Sequence, residues 1–162
     1  MTYKTNRLIL SLVAWAATLA IYIFYATGSS APLDSDLAGW AKLMLKFVAI
    51  GVILQVIIQI IFHIVYAISI GVKNGFADDD VIERTIELSS AEDEMDKLID
   101  LKACLVGLSV IGIGMLFALV SVAYFEYTAV MMMNIFFISA LISALMVTCA
   151  SIYYYQRGVR NG

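Results

Sequence analysis

The sequence predicts an all-α fold, an integral membrane four-helix bundle with both termini on the cytoplasmic side. Three observations lead there. The chain is 62% hydrophobic and 14% charged, whereas a soluble domain is about 45–50% apolar and about 25% charged. Four apolar runs, at 8–26, 47–72, 103–125 and 128–155, are each near or above the roughly 20 residues that a helix needs to cross a ~30 Å hydrocarbon core. Basic residues fall on alternate sides of these runs. Lys4, Arg7, Lys73, Arg84, Lys97, Lys102, Arg157 and Arg160 share one face, and the other has only Lys42 and Lys46. Cytoplasmic loops are enriched in Lys and Arg, so the first face is expected to be cytoplasmic.

The run at 8–26 follows Lys4 and Arg7, as a signal peptide would, and Ser29-Ser30-Ala31 resembles a cleavage site. A signal h-region is about 7–15 residues. This run is longer, and a retained first span is expected. Gly28 and Pro32 then break the chain. Asp36 is placed to cap a helix beginning near Leu37. The segment 37–46 is amphipathic, with Trp40, Leu43 and Met44 beside Lys42 and Lys46. It either lies in the interface or forms the first turns of a long second helix. Asn74 and Gly75 punctuate the end of the second span.

A polar segment, 76–102, separates spans two and three and is expected to be a helical cytoplasmic loop. The stretch 73–102 holds ten of the thirteen acidic residues against four basic ones, a net charge of −6. Such a segment repels nucleic acid, so no direct nucleic-acid partner is expected. Asp80, Arg84 and Glu87 have helical i, i+4 and i, i+3 spacing. Ser89 precedes Glu92 at capping-box spacing. No breaker separates 92–102 from the third span, which predicts one continuous helix projecting two to three turns from the membrane. Met95, Leu98 and Ile99 form its apolar side. Aromatic belts are expected from Tyr22, Tyr25 and Trp40, from Tyr124 and Tyr127, and from Tyr153-Tyr154-Tyr155.

Within the spans, Gln55, Gln59 and His63 recur every four residues and Tyr66 continues their stripe. Side chains of this kind need partners in a bilayer. They form either a polar, proton-sensitive pocket or interhelical glue. Asn134 is a second isolated polar group, expected to be structural. Small residues four apart (Ala16 and Ala20, Ala103 and Gly107, Gly114 and Ala118, Ser139 and Ser143, Ala140 and Ala144) predict close helix contacts within the chain or between copies, which leaves room for a homo-oligomer. Cys104 and Cys149 lie in apolar runs and are expected to be small buried hydrophobes; they form no framework that implies an oxidising compartment.

Several function classes fit poorly. No span carries an ionised residue near its centre, as ion-coupled transporters and voltage sensors require. The chain has no G-x-S-x-G, phosphate loop, H-E-x-x-H or Cys-x-x-Cys. His63 is the only histidine. Asp78-Asp79-Asp80 lacks the alternating ligands of a calcium loop and reads as a solvated acidic turn. No enzyme activity, cofactor or metal is therefore expected.

Asp93-Glu94-Met95-Asp96-Lys97-Leu98-Ile99-Asp100-Leu101-Lys102-Ala103 resembles the D-E-R-D-x-x-I-E-x-K-A motif of an uncharacterised prokaryotic four-helix membrane family, a domain of unknown function. Met95 stands where that family has arginine, and Asp100 where it has glutamate. The resemblance covers these eleven residues and the four-span layout. It implies the plasma membrane of a prokaryote, and a small helix-turn-helix regulator as a partner. The reading that follows is a non-enzymatic regulatory or scaffolding protein. Its partner-binding residues would be Glu83, Glu87, Asp93, Glu94, Asp96 and Asp100, facing a basic soluble protein. The alternative is a small-molecule or ion passage subunit lined by Gln55, Gln59 and His63.

Overall fold

A computed structural model of the chain describes residues 3–29, 31–33, 35–73 and 94–158. They form four helices: α1 (Tyr3–Ala26), α2 (Leu37–Lys73), α3 (Glu94–Phe125) and α4 (Ala129–Arg157). Each is long and apolar enough to cross a membrane. Their length and composition are those of the spans of a multi-pass membrane protein.

Local chemistry sets the helix ends. The Asp36 carboxylate accepts from Gly39 N at 2.8 Å, and its carbonyl accepts from Trp40 N, so it caps α2. From there α2 runs unbroken, and the amphipathic segment 37–46 forms its first turns. Thr128 caps α4 through its side-chain oxygen, which accepts from Met131 N at 3.2 Å. Only residues 126–128 join α3 to α4. Glu126 makes that short turn with a φ of 55°, in the left-handed region that side chains rarely adopt. Gly158 closes α4, with its N–H donating to Tyr154 O at 2.9 Å.

The helices pack in the order α2, α1, α4, α3. The largest contact is between α3 and α4, followed by α1 on α4 and α1 on α2. The buried column of α3 is Asp96, Ile99, Ala103, Gly107, Gly114, Ala118 and Ser121. Gly107 meets Val147 and Ser143 of α4, and Gly114 meets Ser139. Ser143 Oγ donates to Gly107 O at 2.8 Å across the seam. Small residues here let two backbones approach, as their four-residue spacing predicts. Ala16 and Ala20 instead lie on the exposed side of α1.

A second anchor lies at the end where α1 stops and α2 begins. Tyr22, Trp40, Leu43, Met44, Phe47, Val130 and Leu141 form a buried cluster there. The Tyr22 ring meets Phe47 edge-on at 5.2 Å and Phe137 at 4.6 Å. By contrast, the second half of α2 is largely exposed from Val52 onward.

Polar side chains share the buried positions with the apolar cluster. Thr5, Thr18, Asp96, Ser121, Thr148 and Ser151 are buried, while large apolar side chains such as Phe24, Ile53, Leu116 and Phe117 point outward. The cysteine expectation is corrected on the same ground, for Cys104 and Cys149 are both exposed and unbridged. Lipid tails are as apolar as leucine, so an apolar side chain in a membrane has no reason to turn inward.

Candidate functional site

The chemically distinctive site lies at the end of the bundle opposite the aromatic cluster. Asp96, in the first turn of α3, is buried. Its Oδ2 pairs with Lys4 Nζ of α1. Its Oδ1 accepts from Tyr155 Oη of α4 at 2.7 Å. One carboxylate therefore ties three helices together. A buried charge is tolerated where it is paired and hydrogen-bonded, and here both oxygens are engaged. Arg7 and Asp100 lie close enough to exert a field at the Tyr155 hydroxyl. Among the described residues, Lys4, Arg7, Asp96 and Asp100 thus lie around the Tyr155 hydroxyl. On the neighbouring turn of α4, Arg157 sits 5.4 Å from the Tyr153 ring centroid, a cation–π arrangement.

The sequence placed Asp96 among partner-binding residues. The structure turns it inward, because it falls on the same helical face as Ile99 and Ala103, the face that meets α4. Glu94, Lys97 and Asp100 of the same turns are exposed. Met95 is exposed too, so the expected apolar side of Met95, Leu98 and Ile99 is split, and Ile99 alone of the three is fully buried. Asp93, Glu83 and Glu87 lie outside the described residues, as do Asp78, Asp79 and Asp80.

The polar stripe of α2 is also divided. Gln55 faces α1, where its Oε1 accepts from Ser11 Oγ at 2.8 Å and its Nε2 donates to Ser11 O at 3.4 Å. Gln59 and His63 are exposed further along the helix, and Tyr66 stacks on Phe62 at 6.4 Å. The cavities between α3 and α4, and at the junction of α1, α2 and α4, have other walls. Gln55 thus acts as a strut between α1 and α2. Gln55→Leu should cost about 0.6 kcal/mol, the average for interhelical hydrogen bonds in a membrane. A thermal unfolding curve in detergent reads this as a small shift. A loss several times larger would assign Gln55 a weightier role than a strut.

Asn134 joins α4 to α1. Its Oδ1 accepts from Tyr22 Oη at 2.6 Å, and its Nδ2 donates to Val130 O at 2.9 Å. Sequence reasoning identified Asp96, Asn134 and Tyr155 individually but did not pair any of them. The available signal was that isolated polar groups in apolar runs need partners, and that Lys4 and Tyr155 sit at the same predicted depth as Asp96.

No protein-family model matches the chain, and no curated protein or solved structure matches it significantly. Among the described residues, no three His, Cys, Asp or Glu side chains come together as a metal site. A carboxylate with both oxygens engaged by a lysine and a tyrosine holds helices in register and aims the first turn of α3.

Proposed function

We propose that this chain is a non-enzymatic regulatory or scaffolding protein of a prokaryotic plasma membrane, with both termini cytoplasmic. Its acidic helical extension binds a basic soluble partner, a small helix-turn-helix regulator being the kind that fits. The observation that carries this reading is the unbroken course of α3 from Glu94 into its apolar run. A helix of 32 residues is roughly 48 Å long at 1.5 Å per residue, well beyond a ~30 Å hydrocarbon core. The excess is the charged end, and Asp96 anchors it to α1 and α4. Glu94 and Asp100 are thereby held at fixed positions on a rigid support. An acidic surface complements the basic DNA-binding face of a regulator and steers its approach. Orientation is supported by Lys4, Lys97 and Arg157 lying at one end with Asp96, while Lys42 and Lys46 lie near the start of α2.

The test leaves Asp96 intact, so that the carboxylate of the three-helix clamp is kept. The parent chain and a Glu94→Lys/Asp100→Lys variant are purified in mild detergent from native membranes. The parent should retain one small basic protein, released by raised salt, and the variant should lose it. Recovery of no basic protein with the parent, or equal recovery with both, overturns the proposal. The passage reading has less support, because Gln55 is engaged by Ser11 and Gln59 and His63 are exposed.

A further inference from the structure

The second half of α2 carries an outward-facing amide. Gln59 stands at the middle of the apolar run 47–72 and is exposed. Among the described residues its side chain has no hydrogen-bond partner. Gln55, one turn earlier, is satisfied by Ser11 of α1. A glutamine amide has an acceptor oxygen and two N–H hydrogens. Hydrocarbon offers them no partner, and leaving them unsatisfied there is costly. The residues around Gln59 form a row. Val52, Val56, Gln59, His63 and Tyr66 follow steps of four, three, four and three, the 3.5-residue spacing of a seam between two helices. Val52 is 55% exposed and Val56 51%, and His63 also faces outward. The rest of the bundle meets α2 on a different side, through Trp40, Met44, Phe47 and Gly51.

We propose that this row is the contact between two copies of the chain, with their Gln59 amides hydrogen-bonded to each other across a two-fold axis. The inference rests on the reading that α2 spans a bilayer. Identical chains insert in the same sense, so the α2 helices of two copies run parallel. Residues of the same number then lie at the same depth, and a two-fold axis along the membrane normal brings them face to face. A second copy therefore supplies an amide at mid-membrane, where a lipid tail or a soluble protein supplies none. Each Oε1 accepts from the Nε2 of the other copy, so the pair is satisfied reciprocally. The exposed valines give the seam its apolar part, and one polar pair within it fixes the register. The acidic stretch 74–93 of the same chain is a poor occupant, because its carboxylates would have to enter hydrocarbon.

Sedimentation equilibrium of the full chain in density-matched detergent reads the assembled mass directly. The parent should form dimers. Gln59→Leu should weaken their association about tenfold, or about 1.4 kcal/mol, within the range of polar contacts between membrane helices in model peptides. Cross-linking in liposomes gives a second reading that leaves Gln59 in place. In a Cys104→Ala/Cys149→Ala background, copper–phenanthroline oxidation should join copies that carry Val56→Cys. It should leave copies with Ile57→Cys largely single, although Ile57 is 45% exposed, because position 57 points away from the row. Three results overturn the proposal: a parent that is monomeric or larger than a dimer, with or without another protein bound; association undiminished in Gln59→Leu; or equal cross-linking at 56 and 57. Failure of the chain to float with liposomes would remove the membrane reading itself, a different result from a monomer that floats.

Discussion

Asp96→Ala should unfold in detergent with a loss of roughly 2–4 kcal/mol, slightly below the ~3–5 kcal/mol typical of breaking a fully buried pair. The discount reflects the partial exposure of Lys4, whose side chain is 18% accessible. The loss has two sources. Lys4 keeps its charge in a largely enclosed place, and the Tyr155 hydroxyl loses its acceptor. The Lys4→Met/Asp96→Leu double variant should lie closer to the parent than Asp96→Ala, because removing both charges leaves neither stranded. Tyr155→Phe should cost less than either single charge removal, in the range of one hydrogen bond to a charged group, about 1.5–3 kcal/mol at most. Thermal unfolding of the parent, Lys4→Met, Asp96→Leu and Lys4→Met/Asp96→Leu, arranged as a double-variant cycle, measures the coupling of that pair. Strict additivity would show that Lys4 and Asp96 do not act together.

The second large effect is expected at the seam between α3 and α4. A β-carbon on Gly114 would overlap Cβ and Oγ of Ser139 and lie 3.6 Å from its Cα. Those atoms sit at the base of a short side chain, so they move only if the helix moves. Gly114→Val should therefore cost about 3 kcal/mol, the upper part of the usual overpacking range, or separate the two helices. Gly107→Ala should be milder, because the nearest obstacle is a methyl of Val147, which can rotate away. Gly112 has nothing within 4 Å of its would-be β-carbon. Gly112→Ala should be neutral, or should stabilise α3 by up to about 1 kcal/mol through helix propensity. This order, 114 worst and 112 harmless, is read from unfolding midpoints. Equal tolerance at 114 and 112 would refute the close approach.

The four helices were legible because each apolar run is long and is bounded by Gly, Pro, Asp or a charge cluster. The continuity of 94–102 with the third span was legible for the converse reason, the absence of any breaker. The neighbours of each helix were not legible. In water, hydrophobic stripes reveal which face turns inward, but here Leu, Ile and Phe surround every helix and no stripe stands out. The better guide was the opposite class of residue. Ala103, Gly107, Gly114 and Ala118 marked the α3 seam by their spacing, and Ser139 and Ser143 marked the facing side of α4. Asp96 was misplaced because a charge in an acidic segment reads as solvated. Its neighbours Ile99 and Ala103, at i+3 and i+7, already showed which way it turns. The stripe from Gln55 to Tyr66 was legible as a row, and Gln55 bonds across to α1 as interhelical glue would. Periodicity aligns side chains along one helix, but it does not say how far a neighbouring helix accompanies them.

The clamp also bears on how the protein is assembled. Lys4 and Asp96 are 92 positions apart, and Asp96 and Tyr155 are another 59 apart. Ribosomes deliver these residues in that order. The first helix therefore enters its surroundings long before its carboxylate partner exists, and the carboxylate before its tyrosine. Until the last turn of α4 emerges, one oxygen of Asp96 lacks its native donor. A nascent chain stalled short of that turn would hold Asp96 without its Tyr155 hydrogen bond, and α3 without that tie to α4.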